Sequence, residues 1–269
     1  MERVHDSAVV LKIYPFSERH QAIVALTKNH GRLTVRALNS IHSRRFAGAL
    51  EPFVASEWDW VEQAGKDLHR LDEVKVMRRY EGLRKDFERL ALASSWNEVL
   101  LRVAPENEPA EPLFRLHTNA LAALEESNYP GADLRLLTAY FGKLLHFLGN
   151  HPRLQECLRC AHSLSAQTAT ASLLCRIKEA GWICPDCWQE GLGVASEIDA
   201  YGIQISPLAA LDFHRSLTTP IRRFPNEAQA SQGEHRALFR FIEALFIFHV
   251  PGFDQKRLKS LKFLRLETD

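Results

Sequence analysis

Arg32–Leu38 reads Arg-Leu-Thr-Val-Arg-Ala-Leu, and polar and apolar residues alternate along it as far as the alanine. Successive side chains of a β-strand point to opposite faces, so the leucine, valine and alanine should share one face. Arg32 and Arg36 should then lie on the other face. The stretch therefore predicts a half-buried strand whose outer surface is basic.

Four further stretches near Arg32–Leu38 also have the composition of β-strands. They are rich in branched or aromatic residues, or alternate with period two, and comprise Ser7–Tyr14, Gln21–Thr27, Phe53–Val61 and Leu68–Met77. An irregular basic insert, Ser40–Gly48, separates the third strand from the fourth. Five short strands of this kind predict a small closed barrel of the OB type, although composition alone leaves an SH3-like barrel open.

The period of the apolar residues becomes helical near residue 80, which predicts helices in the rest of the chain. Asp133 is expected to cap one helix, and Ser231 with Glu234 forms the capping-box pattern of another. The predicted fold class is α+β: an OB-type barrel domain over residues 1–80, then a helical domain over residues 81–269.

Charge is distributed unevenly along the chain. The formal net charge is only +1, but the first fifty residues contain eight basic and three acidic side chains, a net charge of +5. A basic cluster attracts phosphate backbones, and a merely solvated face is the alternative interpretation. The longest apolar run, Ala244–Val250, is too short to cross a membrane, and no secretion signal opens the chain, so a cytoplasmic protein is expected.

Four of the five cysteines form two CxxC pairs, Cys157 with Cys160 and Cys184 with Cys187, and 23 residues separate the pairs. Two such turns can hold one zinc ion tetrahedrally, and four thiolates leave no open position, so the zinc would be structural. Disulfides, a redox pair and unrelated buried cysteines are the alternatives. Cys175 lies outside both pairs and is expected to be a buried apolar residue. The predicted zinc module covers residues 152–206 of the helical domain.

Enzyme motifs are absent from the sequence. It contains no nucleotide-binding GxxxxGK[ST] loop, no HExxH, no GxSxG and no GxGxxG. His146 and His151 are five residues apart around a helix end, which is poor spacing for a shared metal ion. The sequence therefore favours a protein that is not an enzyme.

Several motifs, in this order along the chain, resemble the RecO family of recombination mediators. They are Ser7–Leu11 with Pro15–Glu18, His30–Leu33, Ser43–Pro52, Leu113–Phe114, Phe147–Gly149 before Pro152, the two CxxC pairs, and Leu258–Ser260 with Phe263–Leu264. Ser43–Pro52, which reads Ser-Arg-Arg-Phe-Ala-Gly-Ala-Leu-Glu-Pro, is the most specific of them. The resemblance covers nearly the whole chain.

The resemblance implies a non-catalytic mediator of DNA repair. RecO-like proteins have an N-terminal OB barrel and a helical domain, many with a four-cysteine zinc module. They bind single- and double-stranded DNA, anneal complementary strands, and with RecR help to load RecA onto DNA coated by single-strand binding protein. That protein's acidic, hydrophobic C-terminal tail docks on the helical domain. The relatives' basic C-terminal stretch is replaced here by Phe248–Phe253, so docking is assigned to the helical domain as a whole.

Basic side chains of the barrel are the candidate contacts to DNA phosphates. They are Arg32, Arg36, Arg44 and Arg45, with Lys12 and Arg19 as further candidates. The expected location is the cytoplasm, in association with the nucleoid. Two other hypotheses remain from the residues alone: a zinc-dependent hydrolase or nuclease, which requires an open metal position, and a zinc-bearing protein adaptor without affinity for DNA.

Overall fold

The computed structural model of the protein describes residues 2–41, 44–62, 68–128, 131–164, 172–190, 202–253 and 256–264. The chain divides into two compact units. The first unit comprises Met1–Glu126 and Leu258–Arg265, and the second comprises Ser127–Arg257 and Leu266–Asp269. The domain boundary predicted after residue 80 stays a prediction.

Five strands form the first part of the first unit, one at each of the five predicted places. They are β1 (Arg3–Pro15), β2 (Gln21–Thr27), β3 (Gly31–Ala37), β4 (Ala55–Val61) and β5 (Leu68–Arg78). Each strand pairs with two neighbours in the order β1-β2-β3-β5-β4, and β4 pairs with β1 to close a barrel. The pairing of β3 with β5 is parallel, and the other four pairings are antiparallel.

The barrel interior is filled by the apolar residues of the alternating strands. Its buried cluster comprises Ala8, Val10, Ile23, Ala25, Leu33, Val35, Ala37, Phe46, Leu50, Trp58, Trp60 and Leu71. The alternation predicted for β3 is confirmed, because its apolar residues are buried while Arg32 and Arg36 are partly exposed. Phe46 is 3% exposed, so it is a core anchor.

Two helices of the first unit cover part of the barrel's outer surface. They are α1 (Phe87–Val103), which contacts β1, and α2 (Glu111–Glu126), which contacts β2. The side-chain amide of Asn97 donates a hydrogen bond to the carbonyl oxygen of Leu11 at 2.8 Å. Val9 and Leu26 alternate with residues of the barrel interior, so their side chains lie on the outer face of the barrel. Both are fully buried all the same. The outer surface of the barrel is therefore apolar beneath the helices.

Residues near the C-terminus complete the first unit. A 3-10 turn, Ser260–Phe263, packs on α1. The carboxylate of Glu98 accepts hydrogen bonds from the backbone amides of Lys259 and Ser260, both at 2.9 Å, and from the Ser260 hydroxyl. Burial raises the pKa of Glu98, but these hydrogen bonds outweigh burial and hold the pKa below its ordinary value. The ionised carboxylate thus anchors the turn.

The second unit combines helices with a small sheet. Its helices are α3 (Ala132–Phe147), α4 (Pro185–Glu190), α5 (Pro207–Thr218), α6 (Phe224–Glu227) and α7 (Gln232–His249). Its strands are β6 (Arg153–Cys157), β7 (Leu173–Arg176), β8 (Gly181–Ile183) and β9 (Gly202–Ile205), in the order β6-β8-β7-β9. The ring of Phe141 lies edge-on to those of Phe239 and Phe246, at 5.4 and 5.2 Å, so α3 packs against α7.

The two capping predictions have different outcomes. Ser231 and Glu234 form a complete capping box at the start of α7, which confirms that prediction. The prediction that Asp133 caps α3 is wrong, because Gly131 occupies the N-cap position with a φ of 77°. A glycine adopts this left-handed conformation without a steric penalty, so the helix begins one residue before Asp133. Asp133 lies in the first turn, where a negative charge favours the helix dipole.

Candidate metal centre and nucleic-acid interface

The four cysteines of the CxxC pairs meet at one place in the second unit. Their Sγ atoms all lie within 4.8 Å of one another, and those of Cys160 and Cys184 are 3.7 Å apart. All are free thiols. Cys157 ends β6 and Cys160 lies in the turn after it, while Cys184 directly follows β8 and Cys187 lies in α4. The pairing of β6 with β8 therefore brings the two CxxC turns together.

Backbone hydrogen bonds shape both turns around their sulfur atoms. The amides of Arg159 and Cys184 donate to the Cys157 sulfur at 3.4 and 3.3 Å. In the second turn the Cys187 amide donates to the Cys184 sulfur at 3.5 Å. The Arg159 guanidinium also donates to the Cys187 carbonyl oxygen at 2.8 Å, which links one turn to the other. Such N–H donors orient metal-binding sulfurs and stabilise their negative charge.

The thiols differ in how readily they ionise. Burial raises the pKa of Cys157, but the surrounding hydrogen bonds outweigh burial and lower this pKa to about 6. The hydrogen bond with Cys184, burial and the neighbouring thiols raise the pKa of Cys187. A negative charge on the Cys157 sulfur repels a second negative charge on a neighbouring sulfur and so disfavours ionisation of the other thiols. A cation bound among the four sulfurs would offset this repulsion between thiolates. The four cysteines could hold a metal ion.

Cys175, His146 and His151 lie outside the four-cysteine cluster. Cys175 lies in β7 and is fully buried, and burial raises the pKa of its thiol. The rings of His146 and His151 are 5.0 Å apart, centroid to centroid. Among the described residues, the four cysteines are the one group of at least three potential ligands close enough to share an ion. The expectation that Cys175 is a buried apolar residue is confirmed.

Lys12 and Arg36 lie on the barrel's outer surface, on neighbouring rows of residues. Tyr14 pairs with Ala22, Ala22 with Arg36, and Arg36 with Arg70, so these four form one row across four strands. Lys12 is exposed in the next row, and no described carboxylate contacts either Lys12 or Arg36. Both side chains can therefore meet a phosphate without first losing an ion pair.

The other predicted DNA contacts have different surroundings. The guanidinium of Arg32 forms an ion pair with Glu106, and its side chain is 25% exposed. Arg19 is exposed in the β1–β2 connection, and Arg45 is exposed with its guanidinium 5.4 Å from the ring centroid of Phe46. The side chain of Arg44 lies outside the described residues. Whether any of these residues contacts DNA stays a prediction.

Two exposed aromatic residues accompany these basic side chains, and the sequence interpretation did not select them. Tyr14 is 42% exposed and Phe16 is 49% exposed. The amino group of Lys12 lies 4.5 Å from the Tyr14 ring centroid, and the Arg36 guanidinium carbon 5.7 Å from that of Phe16. The period-two spacing of residues 12, 14 and 16 is the signal that could have identified both aromatic residues.

Two family models match this chain. The model described as "Recombination protein O N terminal" matches residues 1–80, and the one described as "Recombination protein O C terminal" matches residues 84–259. The chain belongs to the RecO family. The resemblance found in the sequence motifs is confirmed, and family membership assigns this RecO-family chain to DNA repair and recombination.

Curated relatives of this RecO-family chain carry the same designation. The DNA repair protein RecO of Anaeromyxobacter sp. (strain K) is 32% identical over 188 residues, which cover 70% of this chain and 71% of the relative. The DNA repair protein RecO of Myxococcus xanthus (strain DK1622) is 29% identical over 267 residues, 98% of each chain. That of Syntrophus aciditrophicus (strain SB) is 28% identical over 257 residues. None of the described helices could span a membrane.

Replacing one cysteine of the cluster tests whether this RecO-family chain holds a structural metal ion. Cys184→Ser should reduce the bound metal from one ion per chain to a small fraction, because three thiolates bind far more weakly than four. The melting temperature should fall by about 5 °C or more, since metal binding stabilises the folded state. Elemental analysis and thermal unfolding measure the two effects.

Cys175→Ala is the matched control, because it removes a buried sulfur of the same unit that lies outside the cluster. It should keep the metal in full, although it too can lower the melting temperature. A Cys184→Ser protein with unchanged metal content and stability would contradict a four-cysteine site. Metal retention together with loss of an enzymatic activity would indicate a catalytic metal instead.

Proposed function

We propose that this chain is a non-catalytic mediator of recombinational DNA repair that binds single- and double-stranded DNA and anneals complementary strands. With RecR, it would help to load RecA onto DNA coated by single-strand binding protein. Family membership and the exposed basic surface of the barrel support the proposal. We assign the barrel to the OB type, a fold that commonly binds oligonucleotides across one face, and the chain to the cytoplasm in association with the nucleoid.

The main structural support for DNA binding is the position of Lys12 and Arg36 on the outside of the barrel. α1 and α2 bury the outer surface at Val9 and Leu26, so that part is closed to DNA. At the other end of the same strands the outer surface is basic and exposed. In our proposal Arg19, in the adjoining β1–β2 connection, extends this surface, and Arg44 and Arg45, in the connection after β3, supply further phosphate contacts. Phosphate binding there would release counterions, which favours association.

Arg32 would contribute less than the other candidates. Its ion pair with Glu106 would have to open before the guanidinium could contact a phosphate. Part of the gain from phosphate binding would be lost in that exchange, since an ion pair at the surface contributes up to about 1 kcal/mol. We therefore expect Arg36 to contribute more to the affinity for DNA than Arg32.

The cysteine cluster would hold a structural zinc ion. Four sulfur donors suit zinc better than hard cations such as magnesium, which prefer oxygen ligands. With all four positions occupied by cysteines, the ion could not bind a reactive water. Cys157, Cys160, Cys184 and Cys187 would supply the ligands, and the ion would bridge β6 to β8 and α4. This arrangement supports a bracing role and not a hydrolytic one.

The acidic tail of single-strand binding protein would dock on the second unit. A cavity of about 320 Å³ lies between β6 and α5 and is lined by Arg153, Leu154, Phe213, Leu217 and three histidines, His146, His151 and His214. Its apolar residues suit hydrophobic side chains and Arg153 suits a carboxylate, whereas Glu156, which also lines the cavity, would repel one. The apolar residues and Arg153 are therefore the contacts that we propose for the tail.

Salt dependence of DNA binding tests the proposed surface. Arg36→Gln should weaken binding to an oligonucleotide and reduce the slope of log K against log salt by about 1, because one phosphate contact is lost. Arg3→Gln is the matched control, since Arg3 is exposed in β1 but paired with Glu73 at 3.1 Å. Fluorescence anisotropy at several salt concentrations measures both slopes. An unchanged slope for Arg36→Gln would show that Arg36 contacts no phosphate and would contradict DNA binding by this surface.

Annealing of coated DNA tests the mediator function. The protein should anneal complementary strands coated with intact single-strand binding protein faster than strands coated with the same protein lacking its acidic tail. The reason is that the tail would recruit this chain to the coated strand. A fluorescence-quenching annealing assay measures the rates, and uncoated strands serve as the control. Equal rates on the two coated substrates would contradict tail docking, and failure on uncoated strands would contradict annealing itself.

A further inference from the structure

Four large apolar side chains are exposed at one end of the barrel. Of the large apolar side chains that are exposed in the described residues, Tyr14, Phe16, Leu38 and Ile41 lie at this end. Tyr14 belongs to β1 and Phe16 to the β1–β2 connection, while Leu38 directly follows β3 and Ile41 lies further along the same connection. A grouped set of exposed apolar side chains indicates a binding surface more often than isolated ones do.

Hydrogen bonds hold the two connections together. The Asn39 amide donates to Nδ1 of His20 at 2.9 Å, and the Ile41 amide donates to the carbonyl oxygen of Arg19 at 3.5 Å. The connection after β3 therefore lies beside the β1–β2 connection. Apolar residues from two parts of the sequence thus share one surface.

The β1–β2 connection is itself ordered by local hydrogen bonds. The amides of Phe16 and Ser17 both donate to the carbonyl oxygen of His20, at 3.0 and 3.2 Å. The Ser17 hydroxyl accepts from the amides of Arg19 and His20, at 3.3 and 3.2 Å. The backbone at Phe16 is therefore fixed before any ligand arrives, which reduces the entropy lost on binding.

Each aromatic ring at this end lies beside a cation. Lys12 approaches Tyr14 and Arg36 approaches Phe16, at the distances given above. In the described part of the chain, neither ring contacts another aromatic ring. The lysine and arginine side chains of the last part of β1, the β1–β2 connection and the last part of β3 are Lys12, Arg19 and Arg36, whereas Lys28 and Arg32, at the opposite ends of β2 and β3, are paired with Glu111 and Glu106. The surface therefore combines partly exposed aromatic rings with positive charge.

This chemistry matches unpaired nucleotides more closely than a duplex. Bases of a single strand can stack on aromatic rings while neighbouring cations contact the phosphates. In a duplex the base faces are already stacked on one another, so only the cations can contribute. An acidic peptide would also suit the charge, but exposed rings held at a basic surface fit flat bases particularly well.

We propose that Tyr14 and Phe16 are stacking platforms for unpaired bases and give this end of the barrel a preference for single-stranded DNA. The proposal rests on the proposed function, because it assumes that the basic surface binds DNA. It adds the two residues that distinguish single from double strands. Lys12 and Arg36 would bind phosphates of single- and double-stranded DNA, whereas the two aromatic rings would contact only the bases of single-stranded DNA.

A double substitution that keeps every charge tests the proposal. Tyr14→Leu with Phe16→Leu should weaken binding to a short deoxythymidine oligonucleotide by about tenfold or more. Affinity for a duplex of the same length should change less than about twofold, and the salt slope should stay the same because no phosphate contact is lost. Fluorescence anisotropy of labelled DNA, with the full-length protein, measures all three quantities.

Two controls separate stacking from loss of structure. Tyr14→Phe with Phe16→Tyr keeps both rings and should keep the single-strand affinity within about twofold of the original. Phe87→Leu removes an exposed ring elsewhere in the first unit and should have no effect on either DNA. Circular dichroism and the melting temperature confirm that each variant is folded.

The outcomes distinguish this inference from the proposed function. Equal losses on single and double strands, or no loss on either, would overturn the stacking role while leaving DNA binding intact. If the original protein bound neither kind of DNA, the proposed function would fail and the stacking role with it. Binding of an acidic peptide by this surface, with no DNA binding, would assign the rings to a protein partner instead.

Discussion

Closure of the barrel is the constraint on which the arrangement of the first unit depends. β3 pairs in parallel with β5, and β4 returns to pair with β1, so every strand has two bonded neighbours. Once the sheet is closed, each residue faces either a packed interior or the outside. A shift of one residue in β3 would place Arg32 and Arg36 inside and expose Leu33 and Val35. The hydrophobic interior therefore fixes where the basic side chains lie.

The sheet of the second unit is too small to be stable through strand pairing alone. β6 is joined to β8 by only two residue pairs, Arg153 with Gly181 and Cys157 with Trp182, with an irregularity between them. Such short pairing gives little stability by itself. Four cysteines converge where β6 and β8 end, and amide groups already point at two of the sulfurs. Ligand bonds to a metal ion would supply the free energy that this small sheet lacks.

Local sequence patterns predicted the features that depend on near neighbours. The alternation of β3, the capping box at Ser231 and the convergence of the CxxC pairs each follow from the spacing of a few residues. The ion pair of Arg32 could not be predicted in this way, because Glu106 is 74 residues away in sequence. The N-cap of α3 was mispredicted because a glycine with positive φ replaced the usual capping side chain.

The exposed rings show a second limit of sequence patterns. Tyr14 and Phe16 are aromatic residues of a kind that is often buried in a core. They are exposed here because Tyr14 lies on the outer face of the closed barrel and Phe16 lies in the β1–β2 connection. We propose that this outer wall of the barrel binds DNA and that the cysteine cluster braces the second unit. Hydroxyl-radical footprinting of the protein with and without an oligonucleotide tests this proposal most directly. DNA binding by the wall should protect residues 12–16 and 32–38 and leave Cys157–Cys160 and Cys184–Cys187 unprotected. Protection confined to the cysteine turns would contradict it.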